Sequence, residues 1–240
     1  QRVVGELNDG CGHCDYCKTG REHHCLERKV PGMAGRDGCF AEYMAYPKRL
    51  LHFVPETLSD EMAVLTEPLA AALQVLELHP LAPDAEVAVV GDGRLAYLIT
   101  QVLALEGRAI TVFGHHAEKL EAFKPFAEVA TKPTGMFETV VEASGHPSGL
   151  KDALSLVKAR GTILLKSTYA AQIELDMSDV VVRELSIEGS RCGPFAPALR
   201  LLERGQITLP PLELFALEDY EAALASKAFK GAFDMRGEAK

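Results

Sequence analysis

Three observations predict an α/β fold: a doubly wound parallel sheet, preceded by a smaller segment with a metal lobe. The first is Val87–Gly114, VAVVGDGRLAYLITQVLALEGRAITVFG, which reads as an apolar run, a glycine turn, an apolar-periodic stretch and a second β-branched run. The second is the alternation of strand-like and helix-like stretches from there to Gly189, the pattern of parallel strands joined by crossover helices. The third is the crowding of Cys11, Cys14, Cys17 and Cys25 into one glycine-rich polar segment.

Taken in order, the chain enters on a strand-like Arg2–Glu6 and then reads DGCGHCDYCKTGREHHC, a C-x2-C-x2-C-x7-C pattern. Four thiolates at such short spacing suit one tetrahedral zinc in a closed structural site with no open position. Disulfides are the alternative, although cysteines two residues apart make strained bridges. His13, His23 and His24 in the same stretch read as solvated loop residues, with exchange for one thiolate as the other option.

Leu58-Ser59-Asp60 starts a helix, capped by Ser59 or Asp60. Met62–His79 is long, apolar and broken only by Pro68; Pro80 and Pro83 then mark a boundary. Within it Glu67 is a single helix carboxylate, to be read as an N-terminal helix acid or an ion-pair partner on its own evidence.

Val87–Val90 then runs into Gly91-Asp92-Gly93, and a helix begins near Arg94 and Leu95. Gly91 permits the tight turn, Gly93 lets the main chain approach a pyrophosphate, and Ala96 stands where a third small residue packs helix on strand. This is a dinucleotide-binding fingerprint. The acid expected about 20 residues further on is absent, because Phe113 is followed by Gly114-His115-His116. A glycine there leaves room for a 2′-phosphate, and His115, His116 and Lys119 offer it donors or charge, so NADP is expected ahead of NAD. The two histidines as merely solvated loop residues is the competing view.

Further along, the pattern predicts a helix over 117–126, a short strand over 128–130 and a buried strand over 137–143 ending at Ser144-Gly145. A helix over 148–158 follows, then strands over 161–166 and 186–189. Residues just past the carboxyl ends of such strands face the ligand crevice, which singles out Ser144, Ser167 and Arg191. Arg191 suits a phosphate or a surface ion pair. Cys39 and Cys192 read as small buried hydrophobes. The tail predicts a helix over 196–204, an extended 212–217, a helix over 218–228 and a strand over 231–236.

At 240 residues and 48% hydrophobic the chain can bury a large core. A net charge of −9 without a Lys/Arg cluster argues against nucleic acid or an anionic membrane surface as partner. No stretch approaches 18 apolar residues and no signal peptide stands out, so a cytoplasmic protein is expected.

The four-cysteine lobe, Gly35-Arg36-Asp37-Gly38-Cys39-Phe40-Ala41-Glu42-Tyr43, Val54-Pro55, Glu67-Pro68-Leu69-Ala70 and the glycine turn together resemble the zinc-dependent alcohol dehydrogenases of the medium-chain dehydrogenase/reductase superfamily, on their polyol and threonine dehydrogenase side. The resemblance implies part of a GroES-like catalytic domain over 1–70, a Rossmann dinucleotide-binding domain over 71–195 and a return to the catalytic domain over 196–240. It implies a structural zinc on Cys11, Cys14, Cys17 and Cys25. It further implies that Glu67 matches one ligand of a catalytic zinc whose other ligands would lie before Gln1. The expected activity is hydride transfer between NADP or NAD and a small alcohol, aldehyde or ketone, in a homo-oligomer paired through 186–189. The alternative is a catalytically inactive, zinc-stabilised nucleotide-binding module, a truncated dehydrogenase.

Overall fold

The computed structural model describes residues 1–170 and 172–236. The elements in chain order are β1 (Val3–Gly5), α1 (Asp15–Lys18), β2 (Leu51–Phe53), α2 (Asp60–Ala63), α3 (Thr66–Leu78), β3 (Glu86–Val90), α4 (Arg94–Ala104) and β4 (Ala109–Phe113). They continue with α5 (Ala117–Leu120), β5 (Glu128–Ala130), β6 (Phe137–Glu142), α6 (Pro147–Leu156), β7 (Val157–Leu165), α7 (Met177–Val182) and β8 (Ser186–Gly189). The tail adds α8 (Phe195–Glu203), β9 (Leu212–Phe215), α9 (Tyr220–Ala225) and β10 (Lys230–Phe233). The chain divides into two compact units, one of residues 1–67, 195–204 and 211–240, the other of 68–194 and 205–210. The tail expected over 196–240 extends past the described residues at 237–240, and its segment 205–210 belongs with the second unit.

In the first unit β1 pairs antiparallel with β2, a strand the sequence reading passes over because three residues give no periodicity to read. β9 and β10 pair in parallel across α9. Asp9, only 7% exposed, accepts from the guanidinium groups of Arg36 and Arg49, which offsets the cost of burying its charge. It also exchanges backbone hydrogen bonds with Lys29 at 3.0 and 2.9 Å, closing the base of the cysteine lobe. Ser59 caps α2 by accepting from the Met62 N–H. The long helix expected over 62–79 is interrupted at Val64-Leu65 rather than at Pro68. Pro68 sits in the first turn of α3, where a missing N–H removes no intrahelical bond.

The second unit is the doubly wound sheet. Six parallel strands run in the order β5-β4-β3-β6-β7-β8, so the chain starts in the middle, moves out one way and then crosses to the other. The central strands are buried on both faces: Val87, Ala88, Val89, Val140 and Val141 have no exposed surface. α4 packs with Ala96, Ile99 and Leu103 fully buried, and Gln101 beside them donates to and accepts from the Thr208 backbone at 3.2 and 2.7 Å. Lys166, also buried, donates from Nζ to Ala71 O at 2.7 Å and Ser190 Oγ at 2.9 Å.

Three local expectations are corrected. The helix expected over 117–126 is a four-residue α5 and a 3-10 turn at Glu121–Phe123, with Leu120 and Phe123 anchoring it in the core. The helix expected to reach Lys158 ends at Leu156, and β7 starts at Val157 because Val157 already pairs with Phe137. The register then shifts, with Arg160 at φ 63° beside Gly161, before pairing resumes at Thr162. α7 was not anticipated; its signal is Asp176, whose carboxylate accepts from the Ser178 N–H.

Candidate nucleotide pocket and thiolate cluster

The register Val90↔Phe113 places the ends of β3 and β4 side by side, and Val90↔Glu142 does the same for β3 and β6. At this carboxyl edge lies a pocket of about 280 Å³, whose lining includes Gly91, Asp92, Gly114, His115, His116 and Ser144. This is the crevice position at which open α/β sheets take ligands.

Gly91 stands at φ 131°, and a Cβ there would lie 2.7 Å from Ala143 O, so only glycine fits. Its N–H donates to Phe113 O at 2.8 Å, locking the turn to β4. Gly93 is the N-cap of α4, and a Cβ on it would meet nothing within 4 Å. The turn therefore opens on the side where α4 presents its free N–H groups, while exposed Arg94 and half-buried Leu95 form its first turn.

A Cβ at Gly114 would fall 2.6 Å from Asp92 Cβ and 2.8 Å from Asp92 Oδ2, so Asp92 fills the space that a side chain at 114 would take. That carboxylate accepts from the backbone N–H groups of His115 and His116, both at 2.8 Å, and pairs with His116 Nδ1 at 2.9 Å. Burial pushes the Asp92 carboxyl up, but the His116 backbone and ring together with the His115 N–H outweigh it and hold it below the ordinary range. His115 Nε2 lies 3.7 Å from the Asp152 carboxylate.

Among the residues picked from the sequence, Gly91, Gly114, His115, His116 and Ser144 line the pocket. Ser167 reaches it indirectly by accepting the Gly145 N–H at 2.8 Å. Lys119, on α5, is not among the lining residues, and neither is Arg191, which follows β8 at the far edge of the sheet from β3. The sequence reading missed Asp92, His146 and Asp152. Asp92 sits at the variable position of the glycine motif, where pattern matching passes over it. The Ser144 loop is fixed from below by buried Glu142, which accepts from Ser144 N at 2.9 Å, from Ser144 Oγ and from the Tyr169 hydroxyl.

In the first unit the Sγ atoms of Cys11, Cys14, Cys17 and Cys25 all lie within 4.8 Å of one another. Cys14 and Cys17 sulfurs are 3.6 Å apart and Cys11 and Cys17 sulfurs 4.0 Å, close to the roughly 3.8 Å edge of a tetrahedron with Zn–S bonds of about 2.3 Å. Cys25 is buried and the other three partly so. The Cys11 N–H donates to Cys25 Sγ and the Cys14 N–H to Cys11 Sγ, both at 3.4 Å, contacts that favour thiolates. Backbone hydrogen bonds from His13 and Cys14 bring the Cys11 thiol down to about 6, while burial pushes Cys17 up to about 12. A side chain at Gly10 would strike Cys17 Sγ, its Cβ falling at 2.6 Å, a constraint on the lobe that the cysteine spacing does not show. Among the described residues, no group of three ligating side chains includes Glu67.

A parallel sheet wound outward both ways from β3 with a glycine turn at its carboxyl edge, and a four-cysteine lobe in a separate unit, define a doubly wound α/β chain with an appended cysteine lobe. Residues 1–56 match the alcohol dehydrogenase GroES-like domain. The chain is 27% identical over 253 residues to D-arabinitol dehydrogenase 1 of Uromyces fabae, covering 95% of this chain and 72% of that one. A protein of Sinorhizobium meliloti 1021 described as a zinc-binding dehydrogenase, solved bound to NADP, superposes with a TM-score of 0.84 at 25% identity, over 95% of this chain and 73% of that one. A protein of Escherichia coli CFT073 described as a short chain alcohol dehydrogenase, complexed with NADH, gives 0.85 at 25% identity, over 97% and 76%. The chain is thus similar to zinc-dependent alcohol dehydrogenases over most of its length, and it is an alcohol-dehydrogenase-like oxidoreductase.

Proposed function

We propose that this chain binds a nicotinamide dinucleotide at the carboxyl edge of its sheet, holds one structural zinc in its cysteine lobe, and serves hydride transfer between the nicotinamide and a small alcohol, aldehyde or ketone. The observation that carries this reading is Gly91, whose conformation and closeness to Ala143 exist to shape a turn that exposes the start of α4 to the pocket. When bound, the dinucleotide supplies the hydride chemistry. The chain's part is to bind and orient it. Gly93 and the first N–H groups of α4 receive negative charge, and the Ser144 loop, braced by Glu142, closes the pocket from the β6 side.

The converged sulfurs fit a closed zinc site, which ties Cys11, Cys14 and Cys17 to Cys25 across an irregular segment. The expected role of Glu67 as a ligand of a catalytic zinc stays a proposal, and no step is routed through it. Solved relatives carry either NADP or NADH, so kinship does not decide between them. We further propose a cytoplasmic homo-oligomer paired through β8. In support, β8 has one free edge among the described strands, and among the described residues no helix is long and apolar enough to cross a membrane.

The test is equilibrium binding of AMP and ADP-ribose to the purified chain, by calorimetry, with turnover of polyol and threonine substrates assayed alongside. Saturable 1:1 binding of ADP-ribose, abolished in Gly91→Val, supports the nucleotide site, and its absence refutes it. Binding without turnover of any alcohol or carbonyl compound would favour the inactive nucleotide-binding module instead.

A further inference from the structure

Resting on the reading that this pocket takes a nicotinamide dinucleotide, we propose that Asp92 selects the form without a 2′-phosphate, by supplying from the glycine turn the carboxylate that the end of the second strand lacks. This reverses the preference for NADP that Gly114 suggested in the sequence.

Three observations lead there. The Cβ that Gly114 does not have would fall 2.8 Å from Asp92 Oδ2, so the carboxylate occupies the space from which a strand-end acid would project. It is held there by the N–H groups of His115 and His116, so it is aimed by the fold and not free to turn away. Finally, the lining contains two carboxylates, Asp92 and Asp152, and no lysine or arginine. The two imidazoles nearest the strand end already face those acids, His116 at 2.9 Å from Asp92 and His115 at 3.7 Å from Asp152. A third imidazole, His146, is engaged in capping α6. A 2′-phosphate adds about two negative charges, and this pocket offers it like charge without a permanent cation. A ribose diol instead presents hydroxyl donors, which a carboxylate accepts.

The experiment measures NADH and NADPH binding to the 240-residue chain through the change in nicotinamide fluorescence. NADH is expected to bind at least tenfold more tightly than NADPH, and Asp92→Asn should bring the ratio to within about threefold of one. Asp92→Gly/Gly114→Asp, which returns the acid to the strand end, should restore the preference for NADH. A turn that had merely collapsed would not regain it. Binding of both with NADPH equal or tighter in the unaltered chain overturns the inference and leaves the nucleotide site standing. So does an unchanged ratio in Asp92→Asn, or a double variant that melts like the parent yet does not prefer NADH. Binding of neither dinucleotide overturns the inference together with the reading on which it rests.

Discussion

The two glycines of the turn do different work, and the structure separates them. Gly91 at φ 131° has no room for a methyl group, since its Cβ would press on Ala143 O at 2.7 Å and Ala143 C at 2.8 Å, both backbone atoms. Gly91→Ala therefore costs the conformational strain of a side chain in a glycine region, about 1–2 kcal/mol, plus overpacking against a strand end of about 1–2 kcal/mol. Together that is about 2–4 kcal/mol, which for a chain of this size lowers the melting midpoint by roughly 5–15 °C. Gly93 has φ −92° and open space around its missing Cβ, so Gly93→Ala should shift stability by no more than about 1 kcal/mol. Its methyl group projects into the space that makes close approach to α4 feasible, and NADH affinity should fall at least tenfold. Thermal melts followed by circular dichroism, paired with NADH titrations, read both effects. Equal loss of stability in the two variants would refute the assignment of strain to Gly91 alone. A Gly93→Ala chain that binds NADH like the parent would refute the role given to the open side of the turn.

Other outcomes follow from the same geometry. Elemental analysis should find one zinc per chain, lost in Cys25→Ser, whose thiol is the buried one of the four; two zincs would show a second site, and none would remove the structural-zinc reading. Gln101→Leu leaves both Thr208 backbone groups without their side-chain partner and should cost about 1–3 kcal/mol in chemical denaturation, with wild-type stability as the refuting result. Asp92, whose folded carboxyl is held below its ordinary value, contributes stability that is fully present above about pH 4 and is lost as pH falls through the lower folded value. The stability difference between the parent chain and Asp92→Asn should therefore shrink as pH falls below about 4, and a difference that grows with acid over that range would contradict the assignment.

Much of the fold was legible because the physics that makes it is local. Four buried apolar residues at Val87–Val90, a helix with small residues on one face and β-branched runs of five residues announce themselves by composition alone. The convergence of the four cysteines was equally plain, since four thiols within fifteen residues leave little choice of partner. Elements set by tertiary context were not legible. β2 exists because β1 lies opposite it, and β7 starts four residues early because Phe137 offers Val157 a pairing before the shift at Arg160 and Gly161. The interruption at Val64-Leu65 instead of Pro68 has the same origin: Leu65 is 1% exposed, and burying it ends α2 before the proline can matter.

The site was half legible for a related reason. A motif states which residues the backbone needs, and Gly91 and Gly93 answer to that. It does not state which side chains fill the space between neighbouring strands, because that depends on register. Val90 pairs with Phe113, so the residues just after them are neighbours across 23 positions of sequence, and the glycine at 114 and the aspartate at 92 are two halves of one spatial choice. Read singly, Gly114 looks like an acid lost and a phosphate admitted. Read as a pair, a carboxylate stands at the neighbouring strand end, and the glycine is what makes room for it. The same coupling constrains substitutions. Any side chain at 114 must displace Asp92, and replacing Asp92 alone leaves a gap beside Leu120, so the two positions should change together or not at all. A double-mutant cycle over Asp92→Gly and Gly114→Asp should accordingly show a coupling of about 1–3 kcal/mol in folding stability, with additive effects as the result that would separate the two residues.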